Sequence, residues 1–371
     1  MQNKHLFSLL AFTMLASCTV GPDYERPQFY PDAEVAKNLK LEQAEASPVG
    51  QDWYKQFNDP ALNRLIERAW AASPNVRIAV HKLREARYGL LRSNVQSFPM
   101  LDINAGYNYD RSSRDIGFSI DRDYYQLGMD ASWELDIWGG NRRAAEASRA
   151  LFEAAGANLD NVRLVMAAEV ANNYISLRTA QEQLRVAREN LKLQQEIYQL
   201  VQQKYDVGLT DFIALNQAQY AVESTKTLIP QLESEIEAYK NAVAVLLGVL
   251  PDDLAGTLDN TADNLVRRRL SYNLKQLYRL RVDVIRNRPD VRLAEQNLIA
   301  QNAAVGEAVA NLYPDVSISG FVGWQSGKIA GLINGDHSTY SYAPALKLPF
   351  FHWNQLMNTV NEQKEVKEQY V

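Results

Sequence analysis

The sequence predicts a mainly α-helical fold with a small β part that belongs in a membrane. Three observations predict it: four strands of about ten residues alternate between apolar and polar side chains, a proline-free helical pattern fills residues 141–206, and one stretch occurs twice. With 371 residues, 46% hydrophobic content and a net charge of −5, the chain can bury a large core. Its basic residues are interspersed with acids, so no nucleic-acid partner is expected.

The N-terminus predicts export and lipid anchoring. Residues 1–17 contain a lysine and a short apolar run, which is typical of a signal peptide and too short to span a bilayer. The stretch LASC places Cys18, the only cysteine, at a bacterial lipoprotein cleavage site; a fortuitous cysteine is the alternative. We expect covalent diacylglycerol and fatty acyl groups on Cys18 and no other cofactor. Thr19, in place of an aspartate, is typical of an outer-membrane lipoprotein.

The internal repeat relates residues 73–99 to residues 288–314 at a constant offset of 215. Each copy begins with a proline suited to the first position of a helix, Pro74 or Pro289. Each copy ends on an aromatic residue followed by a proline, through which a helix cannot continue. The repeat therefore predicts, twice, a helix that runs into a strand.

The predicted strands cover residues of about 99–113 and 124–138 in the first copy and of about 314–325 and 338–350 in the second. One parity is apolar and is expected to face lipid: Leu101, Ile103, Tyr107, Tyr109, Leu127, Trp133, Leu135, Ile318, Trp324, Leu348 and Phe350. The other parity is polar and is expected to face a water-filled lumen: Asp102, Asn104, Asn108, Asp130, Ser132 and Glu134.

A water-soluble sandwich is the alternative for such strands. Their length, the aromatic residues near their ends and the export signal favour a membrane barrel instead. An open sheet edge in lipid costs several kcal/mol for each unpaired backbone group, so several chains must combine to close a barrel. Two chains would supply eight strands and three would supply twelve. Of these two barrels, only the twelve-stranded one leaves a wide lumen.

The helical pattern from Asn141 to Asp206 would form a helix about 100 Å long. The stretch VGLTD at 207–211 predicts a hairpin tip, with Gly208 ending one helix and Thr210 or Asp211 capping the next. A heptad pattern returns along the second helix to residue 248, with a kink expected at Pro230. Small residues spread around the first helix predict contacts with several neighbours, which an isolated coiled-coil hairpin would not need.

These patterns divide the chain into a signal peptide at 1–17 and a lipid-anchored N-terminal segment at 18–58. A first structural repeat at 59–248, a connecting segment at 249–285 and an incomplete second repeat at 286–371 follow. Enzyme motifs are missing: the four histidines have no metal-ligand spacing, and no P-loop or G-x-S-x-G stretch occurs. We expect no enzyme and no metal site, so energy for any transport must come from a partner.

Six stretches in order resemble the TolC-like outer-membrane efflux proteins, in the lipoprotein branch typified by OprM. They are LASCTVGPDYERP at 15–27, ELDIWGGNRR at 134–143, YDVGLTD at 205–211, VLLGVLPDDL at 245–254, RNRPDVRLAEQNL at 286–298 and NLYPDVSISGFVG at 311–323. The resemblance implies a homotrimer with a twelve-stranded β-barrel in the outer membrane and a helical tube, or α-barrel, in the periplasm. It implies passive export of drugs or other solutes, driven by an inner-membrane pump through a periplasmic adaptor protein.

The resemblance also implies that the hairpin tip meets the adaptor, and Val207, Gly208, Leu209 and Thr210 match that motif residue by residue. A well-capped turn is the plainer explanation of the same four residues. The first copy continues for about 107 residues after Asn141, whereas the second continues for about 17 after Asn354. We therefore expect a chain truncated at the C-terminus, with conduction impaired. The rival hypothesis is a lipid-anchored periplasmic coiled-coil scaffold without a pore.

Overall fold

The computed structural model describes residues 19–26, 52–111, 121–259 and 287–371. The predicted signal peptide, Cys18, most of the predicted N-terminal segment and most of the predicted connecting segment lie outside these residues. The chain divides into two compact units. The first unit contains Met1–Phe29, Leu83–Gly156 and Arg292–Val371, and the second contains Tyr30–Lys82 and Ala157–Val291.

The two predicted copies show the same order of elements, which is helix, strand, strand, helix. The first series is α2 (Pro74–Val95), β1 (Met100–Arg111), β2 (Asp121–Leu135) and α3 (Gly140–Asp206). The second series is α6 (Pro289–Ala310), β3 (Asp315–Ser326), β4 (Ser338–Lys347) and α7 (Trp353–Glu368). The other helices within the described residues are α1 (Pro60–Ala72), α4 (Phe212–Leu247) and the single turn α5 (Ala255–Leu258), with short 3₁₀ segments at Trp53–Phe57, Pro251–Leu254 and Gly335–His337.

The four strands form one sheet in the order β1-β2-β3-β4, and every neighbouring pair is antiparallel. β2 ends at Leu135 rather than near 138, because the Asp136 carboxylate accepts hydrogen bonds from the backbone N–H groups of Asn141 (3.0 Å) and Arg142 (3.1 Å). Those contacts commit the chain to the first turn of α3. β4 ends at Lys347 rather than near 350, and Leu348 and Phe350 therefore lie beyond the strand.

The long helical pattern forms a single helix, α3, of 67 residues. A tight turn joins it to α4, which keeps Pro230 inside its span and ends at Gly248 in the left-handed conformation (φ 65°). The N–H groups of Gly248 and Val249 close that end by donating to the carbonyls of Val245 and Ala244, each at 3.1 Å. Across the described residues, no helix combines the length and the apolar composition that crossing a membrane would require.

The second unit has a conventional hydrophobic core. Side chains of α1, α3 and α4 meet the short segments after α4 there; the most deeply buried are Leu62, Ile66, Val170, Tyr174, Leu177, Val243, Leu247, Leu254 and Leu258. The Asp59 carboxylate caps α1 by accepting from the N–H groups of Ala61 (2.8 Å) and Leu62 (3.1 Å). The Tyr174 hydroxyl donates to the same carboxylate at 3.0 Å, and burial raises the pKa of Tyr174 to about 12.

Candidate functional site

The register of the sheet gathers the apolar parity onto one face. Directly paired residues of antiparallel strands point to the same side. β1 pairs Leu101 with Ala131 and Ile103 with Met129. β2 continues the same face through Leu127 with Trp324, Trp133 with Ile318 and Leu135 with Val316, and β3 continues it through Val316 with Leu346 and Val322 with Tyr340. One apolar surface therefore extends across all four strands.

Much of this apolar face is exposed among the residues that the structure describes. Ile103 exposes 78% of its surface, Leu101 63%, Tyr109 57% and Tyr340 80%. No residue of β1 is buried, on either side of the sheet. Contiguous exposed apolar surface of this kind marks a region that another apolar phase or molecule covers.

The opposite face is polar. Asp102 lies directly across from Asp130, and the Asn104 side-chain amide donates to the Asp130 carboxylate. Two carboxylates placed opposite each other repel, and water around them weakens that repulsion. The predicted lumen residues Asn108, Ser132 and Glu134 share this face. The sheet thus separates an apolar side from an acidic side.

The polar face also contains aromatic side chains, and the sequence pattern did not reveal the placement of one of them, Phe321. Phe321 points to the polar side, where it lies opposite Asp130. A Cβ atom added at Gly128 or at Gly323 would overlap the Phe321 ring, so these two glycines make room for it. Glycines within strands often mark such a close approach.

Tryptophans fix the ends of the strands that lie next to the helices. The Trp133 indole N–H donates to the carbonyl of Ser97 at 3.1 Å, just before β1 begins. The Trp138 indole N–H donates to the carbonyl of Pro314 at 3.0 Å, and its ring stacks on Tyr313 with a centroid distance of 4.6 Å. Each indole therefore combines an apolar ring with a satisfied polar group, which suits an apolar–water boundary.

The two edges of the sheet have no neighbouring strand among the described residues, since β1 pairs only with β2 and β4 only with β3. Because all neighbours are antiparallel, β1 and β4 run in opposite directions. A β4 edge of one copy could therefore continue the antiparallel order against the β1 edge of another copy. This property carries the oligomer proposal below.

The tip between α3 and α4 is closed by hydrogen bonds and is apolar on its outside. Gly208 adopts φ 75°, its N–H donates to the Tyr205 carbonyl at 2.9 Å, and the Leu209 N–H donates to the Lys204 carbonyl at 2.7 Å. Of the two cap candidates, Asp211 caps α4, accepting from the Ala214 N–H at 2.9 Å. Thr210 is half-buried.

Four large apolar side chains are exposed at this tip. Val207 and Leu209 expose 69% and 76% of their surfaces, and Phe212 and Ile213 expose 60% and 65%. The sequence interpretation named the first two and missed the last two. The available signal was that Phe212 and Ile213 precede Leu215, which is the first buried position of the α4 seam. The Phe212 ring contacts the Tyr205 ring of α3 at a centroid distance of 6.1 Å, but most of its surface stays exposed.

Within the described ranges, no group of three or more histidine, cysteine, aspartate or glutamate side chains is arranged to hold a metal ion. The features of the described chain that stand out are therefore surfaces: a two-faced sheet with free edges and an apolar hairpin tip.

Comparisons with known proteins agree on one family. The family model described as "Outer membrane efflux protein" matches residues 65–249 and 280–370. The chain is 28% identical over 356 residues to a probable outer membrane lipoprotein, SilC, of Salmonella typhimurium, covering 94% of this chain and 74% of SilC. It is 27% identical over 377 residues to a probable efflux pump outer membrane protein, TtgC, of Pseudomonas putida, covering 98% of this chain and 76% of TtgC.

Among solved structures, the outer-membrane channel OprN is similar with a TM-score of 0.79 and 31% sequence identity. The similarity covers 95% of this chain and 78% of the OprN chain. The printed names describe an efflux pump outer membrane protein for TtgC and a channel for OprN, and none of the three names describes an enzyme. Each of them extends beyond the part that this chain matches.

Proposed function

The chain belongs to the outer membrane efflux protein family, and on this premise we propose that it is the outer-membrane channel subunit of a tripartite efflux system. In this proposal it provides a passive route to the exterior for drugs or other solutes that an inner-membrane pump and a periplasmic adaptor deliver. The observation that carries the proposal is the sheet with one uncovered apolar face and one acidic face.

The apolar face suits the hydrocarbon of the outer membrane, because burying it there removes large side chains such as Leu101, Ile103 and Leu127 from water. Each Å² of apolar surface buried in this way contributes a favourable free energy of about 25 cal/mol. The polar face then borders a water-filled lumen. Asp102, Asp130 and Glu134 would give that lumen a mild preference for cations. The named substrates and systems of the relatives belong to those proteins, and the solute exported here is a separate question for transport assays.

We propose that the functional unit is a homotrimer with a twelve-stranded barrel. The free β1 and β4 edges support this, since hydrocarbon offers no hydrogen bonds to an unpaired strand edge and each unpaired group costs several kcal/mol. The opposite directions of the two edges allow head-to-tail closure of a ring. The repeated helix–strand–strand–helix order supports an internal duplication as the origin of the four strands.

Lipid anchoring at Cys18 is part of the proposal. Its support is the LASC sequence and the similarity to a relative whose name describes an outer membrane lipoprotein. Acyl chains at Cys18 would add apolar surface that holds the subunit at the bilayer while the sheet enters it.

Docking of the adaptor at the hairpin tip is a further part. The exposed side chains of Val207, Leu209, Phe212 and Ile213 form an apolar end, and the hydrogen-bonded turn at Gly208 fixes its shape. A partner that covered these four residues would remove them from water without first having to order them.

Reconstitution of the purified chain in planar bilayers tests the channel proposal. We expect heat-modifiable migration on unboiled gels, a β-sheet signal in circular dichroism in detergent, and stepwise conductance that is reduced in keeping with the impaired conduction expected from the sequence. The scaffold hypothesis predicts an almost purely helical protein that stays in solution once Cys18 is replaced, with no conductance. That result would overturn the channel proposal.

Pull-down with a purified periplasmic adaptor tests the tip separately. Leu209→Ser should weaken capture because it removes an exposed apolar contact. Leu250→Ser is the matched control, since Leu250 is 71% exposed but lies outside the tip. Equal capture by both variants would contradict docking at the tip.

A further inference from the structure

Three sequence stretches that are far apart in the chain meet in the first unit. Residues 19–26, here called the N-terminal strap, contact the start of α3 and the face of α6. The Val20 N–H donates to the Trp138 carbonyl at 3.0 Å, at the junction where β2 has ended and α3 has not yet begun. The start of the strap is therefore attached next to the helix-side end of the sheet.

Arg143 is the centre of these contacts. Its side chain is only 5% exposed, and its guanidinium donates to the carbonyls of Val20 (3.3 Å) and Gly21 (3.4 Å) and to the carboxylates of Asp23 (2.7 Å) and Glu146 (2.8 Å). A buried guanidinium needs such acceptors, because leaving it unpaired is costly. The Asp23 carboxylate is 90% exposed, so water screens that ion pair and the backbone carbonyls are the specific part of the contact.

Close packing adds a second constraint. Gly21 adopts φ 88°, and a Cβ atom there would come within 2.5 Å of the Gly306 Cα atom on α6. A Cβ atom at Gly306 would come within 2.9 Å of the Arg143 side chain. Gly21, Gly306 and the aliphatic part of Arg143 therefore fit together only without additional atoms.

Further contacts hold the rest of the strap along α6. The Asn302 side-chain amide donates to the Pro22 carbonyl at 3.0 Å. The Glu295 carboxylate accepts from the Arg26 guanidinium at 2.5 Å and from the Tyr24 hydroxyl at 3.4 Å. Burial, together with the Glu295 charge, raises the pKa of Tyr24, so its hydroxyl remains a donor at neutral pH.

We propose that Arg143 is a positioning residue that clamps the N-terminal strap and so fixes where the lipidated residue Cys18 meets the membrane relative to the sheet. Cys18 directly precedes Thr19, the first residue of the strap, in the sequence. In this proposal, acyl chains on Cys18 enter the bilayer next to the helix-side end of the sheet, to which the start of the strap is attached. The part that concerns lipid rests on the proposed function; the clamp itself does not.

A cysteine reporter tests the clamp. In a Val20→Cys background, maleimide labelling of residue 20 should become about tenfold faster or more in Arg143→Met, because losing hydrogen bonds to a charged group shifts a local opening equilibrium by at least that factor. Arg143→Lys keeps the charge and some donors and should restore part of the protection. Arg149→Met, which changes an exposed arginine on the same helix, should label at the parent rate.

A second variant keeps the test valid if Arg143→Met fails to fold. Gly306→Ala should not weaken α6 itself, because alanine has a higher helix propensity than glycine. Its added methyl group would displace Arg143 or the strap, so labelling of residue 20 should again become faster. Gly89→Ala on α2 is the matched control, since a Cβ there meets nothing within 4 Å. Unchanged labelling in both Arg143→Met and Gly306→Ala would overturn the clamp.

The positioning role is read from the distance between residue 19 and the sheet. Spin labels on Thr19→Cys and on Asp315→Cys, which is exposed at the start of β3, should give a narrow distance distribution in the parent chain, and Arg143→Met should broaden it while acylation of Cys18, measured by palmitate incorporation, stays unchanged. An unchanged distribution would overturn the positioning role. If the parent chain incorporates no palmitate, the lipid part of the proposed function fails, and the labelling rate of residue 20, measured with Cys18→Ser present to remove the second thiol, still decides the clamp.

Discussion

The core of the second unit and the sheet of the first unit contain similar side chains in opposite surroundings. Ile66 and Leu62 in the core are 0% exposed, whereas Ile103 and Leu101 on β1 are 78% and 63% exposed. The core residues are covered by helices of the same chain, whereas no described part of the chain covers these two sheet residues. Exposed hydrophobic side chains in a regular alternating pattern mark a surface that something else covers, and we propose that the outer membrane covers this one.

The difference also shows in how polar groups are treated. In the core, the buried hydroxyl of Tyr174 is matched to the Asp59 carboxylate. On the sheet, Asp102 and Asp130 face each other and rely on surrounding water. A closed core satisfies its polar groups internally, whereas the polar side of the sheet needs solvent within reach.

The largest expected effect compares the same substitution in both regions. Ile66→Ala should lower the free energy of unfolding by about 2–5 kcal/mol, because it leaves a cavity in a packed core. Ile103→Ala should cost a small fraction of that, because lipid or detergent fills the space. Denaturant unfolding in detergent, followed by circular dichroism of the helices, measures both. Equal losses would show that β1 is packed against protein.

The next effect separates the two faces of one strand. Ile103→Arg should destabilise the membrane-inserted sheet by about 2–4 kcal/mol, whereas Asn104→Arg, one residue along on the polar face, should be tolerated. The measurement is the fraction of heat-modifiable protein in outer-membrane vesicles. Tolerance of Ile103→Arg together with failure of Asn104→Arg would reverse the assignment of the faces.

A smaller effect concerns the pH dependence of the core. Tyr174→Phe should cost about 1–3 kcal/mol at neutral pH, because the Asp59 carboxylate loses a buried donor. The pKa of Tyr174 is raised to about 12 by burial, so its neutral form contributes stability that is complete below the unfolded pKa of about 10. That contribution is lost as the pH rises from about 10 through 12. Parent and Tyr174→Phe protein should therefore converge over that interval in unfolding experiments; parallel curves would argue against the effect.

The smallest effect lies on α6, in the unit that contains the sheet. Burial raises the pKa of Glu307, so the folded state favours its protonated form and stability falls as the pH rises above the unfolded pKa. Glu307→Gln should therefore raise the free energy of unfolding at pH 7 by less than about 1 kcal/mol after solvent screening, and leave it unchanged at acidic pH. Destabilisation by Glu307→Gln at pH 7 would show that the carboxylate has a stabilising partner.

Features that depend on local periodicity were predictable from the sequence. The strict alternation along Leu101–Asp110 predicted β1, the uninterrupted 3.6-residue pattern predicted α3, and Gly208 predicted the turn, and each is present in the structure. These signals sit within a few residues of the feature that they predict, so a single sequence contains them.

Features that depend on contacts between distant residues were not predictable. The early end of β2 follows from the cap that Asp136 provides to α3, and the placement of Phe321 depends on glycines from two strands. The Arg143 contacts join residues more than 120 positions apart. Periodicity carries no information about such partners, although the stretches ELDIWGGNRR and LASCTVGPDYERP both stood out in the sequence.

The most direct test of the two-faced sheet is cysteine scanning across residues 101–110, with each variant reconstituted in lipid vesicles. Residue by residue, labelling with a membrane-impermeant maleimide should alternate: fast at 102, 104 and 108, slow at 101, 103, 107 and 109. Quenching of attached fluorophores by spin-labelled acyl chains should follow the opposite alternation. Uniform labelling of both parities, or protection of the odd positions in a water-soluble monomer, would contradict a sheet that separates lipid from water.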